Sequence, residues 1–559
     1  MSIDPITLEV LRSRFDAIAN NMVSTLVRCA YSTIIKEGGD CSVALLNAEG
    51  DTVAQGLALP VHLGSIPPAV KSMLRAFPAA SLHADDVVIM NDPYNGGQHN
   101  PDIICIVPIV FCGRTVALAV SLAHHQDVGG RTPGSNPTDA MDVFEEGICI
   151  PPIKLIDRGR MSEMAEAFMR HNVRYPDLLM GDLAAQVACG QTAAREFVAL
   201  LEKYGEGLVL AAMKELLDKS EMRIRECIRA MPDGVYSFTD YLDNDGIDFD
   251  RQIPIKATVT IKDSNIGVDF TGTSDQVRGP FNAVPACALS AVRYVLRVVT
   301  DPDIPNTEGC YRMIHLNLPP RNLLNPERPA PVNCRAVTLR RGIDTTLGAL
   351  AQAMPGKIPA ANNGHPLVAH FGGYDQRTKQ AFIVSEMGTG GMGARPTKDG
   401  VDCIFTDASN ATNIPIEVSE TTSPMRITYY RIRCDSGGAG EFRGGCGFEK
   451  EYECLTDGVT LSHRGERHFS QPWGLQGGLP GASSRTVIHR CDGRQEVVRS
   501  KGTIHLHKGD RVIMWTSGGG GYGNPLRRPA DQVLEDVLNR KISPRAAREL
   551  YGVVIRRGR

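Results

Sequence analysis

The chain has 559 residues, too many for one ordinary core, and points to roughly two to four packed units. Its apolar fraction is 42%, its charged fraction 22% and its net charge −3. That is the profile of a globular protein with no electrostatic case for nucleic acid or an anionic membrane. No apolar run nears the roughly 18–20 residues that span a bilayer, and Met1-Ser2-Ile3-Asp4-Pro5 lacks the basic and apolar regions of a signal peptide, so the expected location is cytoplasmic.

Apolar side chains at Leu8, Leu11, Phe15, Ile18, Met22 and Leu26 recur at intervals of three and four and predict a helix over residues 5–28. Asp4-Pro5 opens it, a capping acceptor followed by proline at the first helical position. From 40 to 155 the pattern turns to strands. Cys41–Leu46 and Thr52–Gln55 flank the hairpin signal Asn47-Ala48-Glu49-Gly50, Val87–Met90 is a short apolar run, and Ile103–Phe111 and Thr115–Ala123 form a buried hairpin around Cys112-Gly113-Arg114. Residues 160–230 return to helix, most clearly at Asp182–Cys189 and Leu208–Leu217, and end at Pro232-Asp233-Gly234. Strands are expected at Tyr236–Leu242, Ala257–Lys262 and Val268–Phe270, then a helix at Ala286–Val299. A Pro/Arg-rich crossing segment follows at 320–345, then short strands through the Gly-rich remainder and a final helix at Ala530–Arg540. The class is α+β and multi-region: an N-terminal helix, mixed or antiparallel sheets, a central helical segment and a Gly-rich, β-containing C-terminal region. The expected regions are 1–160 with the metal site, 161–232 helical, 233–345 mixed α/β and 346–559 Gly-rich. Fifteen cysteines include no CxxC pair and read as reduced, buried thiols, not as a cysteine zinc site.

The densest polar cluster runs from Asn91 to Asp102 as Asn-Asp-Pro-Tyr-Asn-Gly-Gly-Gln-His-Asn-Pro-Asp and resumes, after two apolar runs, at His124-His125-Gln126-Asp127-Val128-Gly129-Gly130-Arg131. Histidine and aspartate are ligands that zinc, manganese and iron accept. A three-residue turn centred on Gly113 puts Asp102 opposite His124; a two-residue turn at Gly113-Arg114 puts it opposite His125. Opposed residues have Cβ atoms about 4.5–5.5 Å apart, within the span of one metal ion. Pro108 offers a bulge that shifts this register by one. Asp40, at the mouth of an apolar strand, either joins the metal or caps a turn. Asn91, Asn95, Gly96 and Gly97 form an anion nest for phosphate, carboxylate or bicarbonate, or else an ordinary turn held by Pro93. Arg131 would neutralise an anion in the same cleft. Glu145-Glu146 reads as a base or as a solvated acidic pair.

Two glycine runs imitate nucleotide loops and fail. Gly388–Gly393 fits GxGxxG, but Arg395-Pro396 blocks the helix that should follow, and no acid stands at the required distance. Gly518–Gly523 leads to Pro525 with no GK[ST]. ATP, if needed, would bind on another chain. Asn362-Asn363-Gly364-His365 reads as a turn, and Arg464-Gly465-Glu466-Arg467 as an interface or an internal ion network.

Gly39-Asp40-Cys41-Ser42, Val61-His62-Leu63-Gly64, Asn91–Asp102, His124–Gly130, Glu146-Gly147-Ile148 with Pro151-Pro152, Asp240–Gly246 and Gly518–Pro525 together resemble the hydantoinase B/oxoprolinase family from end to end. That family includes subunits of N-methylhydantoinase, 5-oxoprolinase, caprolactamase, and acetone and acetophenone carboxylases. The resemblance implies a metal-bearing B-type subunit. Its partner is an A-type subunit that binds ATP-Mg and phosphorylates the substrate or bicarbonate, in a hetero-oligomer such as (αβ)2. By motif it implies one divalent metal (Zn, Mn or Fe) held by Asp40, His99, Asp102 and His124. Gln98-His99-Asn100 stands where many relatives have Thr-His-Leu.

The implied activity is ATP-dependent opening of a cyclic amide such as a hydantoin, 5-oxoproline or a lactam. The partner activates the carbonyl, and water activated by the metal attacks it, with His125 or Asp127 as general base. The alternatives are a subunit of an ATP-dependent ketone carboxylase and a non-catalytic structural subunit. Carboxylase relatives have longer chains, which favours hydrolysis.

Overall fold

A computed structural model describes residues 3–56, 59–364, 367–376 and 378–556, apart from the Leu63 side chain. Its class is α+β, as expected, with four sheets among the described residues. The first helix spans Pro5–Cys29, and the Asp4 carboxylate caps it by accepting from the Thr7 N–H.

The first sheet has seven antiparallel strands: β1 (Cys41–Asn47), β2 (Thr52–Gln55), β3 (Val87–Met90), β4 (Asp102–Phe111), β5 (Arg114–His124), β6 (Ile153–Asp157) and β7 (Arg160–Met161), in the order β2-β1-β5-β4-β3-β6-β7. Side chains alternate across it. Val43, Ile103, Cys105, Ala119 and Ala123 face the helices Pro5–Cys29 and Pro176–Tyr204. Ala44, Ile104, Ile106, Val120 and Leu122 face the helix Ile66–Ala76, which the sequence pattern did not reveal. The central helical segment, at Glu163–Asn172, Pro176–Tyr204 and Glu206–Arg229, lies where the periodicity puts it.

The hairpin between β4 and β5 pairs Asp102 with His124 and Ile103 with Ala123. It reaches this register by neither of the anticipated turns. The turn is the two residues Cys112 (φ 48°) and Gly113 (φ 79°), both left-handed. That geometry matches the twist of a tight hairpin, and a bulge between Ile109 and Val110 supplies the remaining shift.

The second sheet (Gly234–Leu242, Ile253–Lys262, Asn265–Asp269, Ile314–Asn317) packs with the helices Pro285–Val299 and Arg335–Ala353 in one core. The last of these corrects the expectation of a crossing segment over 320–345. Every residue from 335 to 351 is buried, Arg335, Arg340 and Arg341 included. A helix surrounded on all sides has no polar face, and arginines that find internal partners hide its character from any pattern of alternation. The third sheet (Leu367–Asp375, Gln380–Gly388, Val459–Arg464, Lys501–Leu506) and the fourth (Met425–Ile432, Phe448–Cys454, Arg485–His489, Gln495–Val498, Arg511–Trp515) enclose another core. Helix Ala530–Leu538 lies at the expected place, and Pro544–Tyr551 follows it. All fifteen cysteines are free thiols. No described helix is long and apolar enough to cross a membrane.

Candidate metal centre

Three neighbouring strand ends build the site. Asp40 immediately precedes β1, and its carbonyl accepts from the His124 N–H (3.0 Å) at the end of β5. His124 in turn pairs with Asp102 at the start of β4. All three continue the face that carries Ala44, Ile104 and Leu122. His99 enters from the turn before β4, where its carbonyl accepts from the Asp102 N–H (3.1 Å).

His99 Nε2 lies 2.9 Å from Asp102 Oδ1, and His124 Nδ1 lies 3.2 Å from both. The far nitrogen of His99, Nδ1, donates to the Asn333 carbonyl (3.1 Å). A carbonyl can only accept, so the proton sits on Nδ1 and Nε2 presents its lone pair. Burial and the nearby Arg335 guanidinium push the His99 pKa down to about 3, so the ring is neutral. Burial opposes ionisation of Asp102, but the Arg335 guanidinium beside it outweighs burial and holds the carboxyl below its usual range. A lone pair and an ionised oxygen therefore confront each other at 2.9 Å, an arrangement that calls for a cation in front of them. Donors bound at about 2.1 Å in tetrahedral or octahedral geometry stand about 3.0–3.4 Å apart. The triangle of His99, Asp102 and His124 fits a divalent metal on distance and on donor chemistry.

Other residues fix the triangle. Arg335, the first residue of its helix, donates to Asp102 Oδ2 (2.7 Å). His62 Nε2 lies 3.8 Å from the same oxygen. Ser42 Oγ donates to the Leu59 carbonyl (3.1 Å) and so accepts from His62 Nδ1 (2.8 Å), leaving His62 Nε2 unprotonated. Burial lowers the His62 pKa, which keeps the ring neutral.

Asp40, His62, His99, His124, Arg335, Arg340, His370 and Arg464 line one cavity of about 60 Å³. Asp40 thus shares the cavity with the triangle but stands outside its tight donor set. Leu59, His62 and Ser409 also border a larger chamber of about 390 Å³, whose other lining residues, among them Gln55, Asn306 and Asn410, carry no charge.

The structure takes the remaining predicted residues elsewhere. His125 follows the opposite face of the sheet, where Nε2 donates to Gln186 Oε1 (3.0 Å) of helix Pro176–Tyr204. Asp127 is buried in an ion pair with Arg174 (3.0 Å) and accepts from the Gly129 and Gly134 N–H groups. The segment Asn91–Gly97 is a packed turn. Asn91 Nδ2 donates to the Asn100 and Ile148 carbonyls and its Oδ1 accepts from the Ile150 N–H. The Asn95 and Gly97 N–H groups both donate to the Asp92 carbonyl, and the Asn95 side chain donates to the Asp92 carboxylate. A Cβ on Gly96 would meet the Ala69 nitrogen at 2.7 Å. Arg131 is exposed and pairs with Asp139 and Glu145. Glu146 is buried, so the expected acidic pair is split. Its carboxyl accepts from the Val332 and Asn333 N–H groups (3.0 and 2.8 Å) and thereby holds the loop whose carbonyl grips His99. Burial pushes its pKa up to about 8.

Glu466 and Arg467 belong to an internal ion network with Asp240, Arg341, Asp344 and Lys501, while Arg464 turns to the cavity. Asn362 donates to Asp407 (2.5 Å); His365 lies outside the described residues. Sequence reasoning missed His62 as a site residue, although it stands in a quoted motif, and missed Arg335, Arg340, His370 and Arg464, which carry no local signal.

The profile of the family described as hydantoinase B/oxoprolinase matches residues 4–525. An uncharacterised protein of Methanocaldococcus jannaschii is 37% identical over 99% of this chain and 96% of its own. Caprolactamase subunit beta of Pseudomonas jessenii is 33% identical over 99% of this chain and 97% of its own. The crystal structure of the ATP-dependent caprolactamase from that organism superposes with a TM-score of 0.91 at 31% identity, over 100% of this chain and 97% of that one. Acetone carboxylase, nucleotide-free, shares the fold with a TM-score of 0.92 at 22% identity, over 99% of this chain and 80% of that one.

Proposed function

The chain belongs to the hydantoinase B/oxoprolinase family, and on that premise we propose that it is the metal-bearing B-type subunit of an ATP-dependent enzyme that opens a cyclic amide. The observation that carries this reading is the convergence of the His99, Asp102 and His124 donor atoms within hydrogen-bonding distance of one another. A divalent cation held there, zinc, manganese or iron, would polarise a carbonyl oxygen and lower the pKa of water. The chain's own residues orient these donors. Asn333 fixes the tautomer of His99, and Arg335 holds the second carboxylate oxygen of Asp102. His62 borders the cavity with Nε2 free to accept a proton while Ser42 holds Nδ1. In this reading His62 takes the general-base role expected of His125 or Asp127, neither of which lines the cavity. The uncharged neighbouring chamber suits a neutral ring such as a hydantoin or a lactam.

Activation of the carbonyl falls to a separate A-type subunit carrying ATP-Mg. Two facts support this. A relative is named as a beta subunit, and both glycine runs of this chain pack against other backbone: a Cβ on Gly519 would meet the Met392 carbonyl at 2.1 Å and one on Gly391 the Gly445 carbonyl at 1.9 Å. The test is metal analysis and substrate-dependent ATP turnover of the chain with its A-type partner. H99A should lose bound metal and turnover together. Stoichiometric metal in that variant would remove His99 from the ligand set, and lasting incorporation of labelled bicarbonate into product would replace ring opening by carboxylation.

A further inference from the structure

The cavity beside the metal triangle has an excess of positive charge. Its wall carries the guanidinium groups of Arg335, Arg340 and Arg464 against the carboxylate of Asp40, with Asp102 beneath. Arg335 is committed to Asp102, and Arg340 lies near Asp407, with Nε donating to its carbonyl (3.3 Å). Arg464 differs. It ends the strand Val459–Arg464, is 8% exposed, and forms no ion pair with any described residue. Nη1 donates to Asn136 Oδ1 (3.3 Å), and Nε is buried without a partner. A buried guanidinium with no carboxylate in contact, and only Asp40 elsewhere on the cavity wall, is costly unless something supplies a closer anion, and a divalent cation in the triangle would increase the local excess further. A cavity of about 60 Å³ admits a compact anionic group.

We infer that Arg464 forms an oxyanion subsite beside the metal triangle, taking a phosphoryl or carboxylate group of the reacting molecule on its guanidinium. The inference rests on the catalytic reading above, because it places the charged end of substrate or product next to the metal. Two sources share this chemistry: the phosphoryl group of an activated substrate, and the carboxylate released when a cyclic amide opens.

The probes are inorganic phosphate and acetate, titrated calorimetrically into the full metal-loaded chain, with bound metal measured on the same samples. Wild type should bind at least one probe saturably with a stoichiometry of one. R464M should weaken that binding by at least ~10-fold, as expected for loss of a charge-assisted hydrogen bond, and R464K should restore part of it. Both variants should keep wild-type metal content. Tighter binding of phosphate assigns the subsite to the activated substrate; tighter binding of acetate assigns it to the product. No saturable binding of either probe by wild type overturns the inference even if neither variant folds, and so does unchanged affinity in R464M. Metal content reads the other proposal separately: a wild-type chain that binds no metal defeats the catalytic reading.

Discussion

Positions 124 and 125 carry the same side chain and differ in the face of the sheet they leave. His124 follows Leu122 and Val120 toward the cavity, whereas His125 turns to Gln186. The two should separate cleanly on mutation. H124A should lose metal, measured by elemental analysis. H125A should keep it and lose about 1–3 kcal/mol of stability through the orphaned Gln186 oxygen, seen as a lower unfolding midpoint. Glu146 makes a prediction of the opposite kind. Its carboxyl, held up at about 8 by burial, stays protonated in the folded chain across a range where the unfolded chain has already ionised. Its contribution is therefore greatest below its ordinary value and is lost as pH rises toward 8. E146Q cannot ionise, so its unfolding midpoint relative to wild type should climb by several degrees between pH 5 and pH 8; a difference constant with pH would refute the buried, protonated carboxyl. At this scale Asp102 and His124 were legible because strand pairing is local arithmetic. His62, Arg335 and Arg464 were not, because each arrives from a distant segment whose neighbours say nothing of its destination.

The β4–β5 hairpin shows why elements are easier to read than their joints. Both strands announce themselves as apolar runs, and the pairing of Asp102 with His124 lies within the expected alternatives; the turn differs from both expected ones, and the bulge falls between Ile109 and Val110, just past the Pro108 expected to make it. Cys112 takes a left-handed conformation that L-residues with a Cβ enter at a cost, and it is exposed. C112N should therefore raise stability by about 0.5–1 kcal/mol in denaturant unfolding with metal content unchanged, since asparagine before glycine favours this turn. The helix Arg335–Ala353 is the contrary case. Complete burial erased the amphipathic stripe by which helices are recognised, and three arginines gave the segment the look of a surface loop.

Across the whole molecule, the glycine runs at 388–393 and 518–523 find their purpose in each other. The Gly391 N–H donates to the Ser517 carbonyl, the Ala394 N–H to the Gly520 carbonyl, and the Gly438 N–H to the Gly519 carbonyl. These segments lie backbone against backbone, closer than any side chain permits. G519A would place its methyl 2.1 Å from the Met392 oxygen, and we expect a loss of several kcal/mol, read as a lower yield of soluble chain and a depressed unfolding midpoint. The order of parts along the chain has a temporal consequence. All three donors of the metal triangle have been synthesised once residue 124 leaves the ribosome, whereas the guanidinium that closes the cavity arrives only with residue 464. A nascent chain thus carries the three candidate ligands long before the wall that shields them exists.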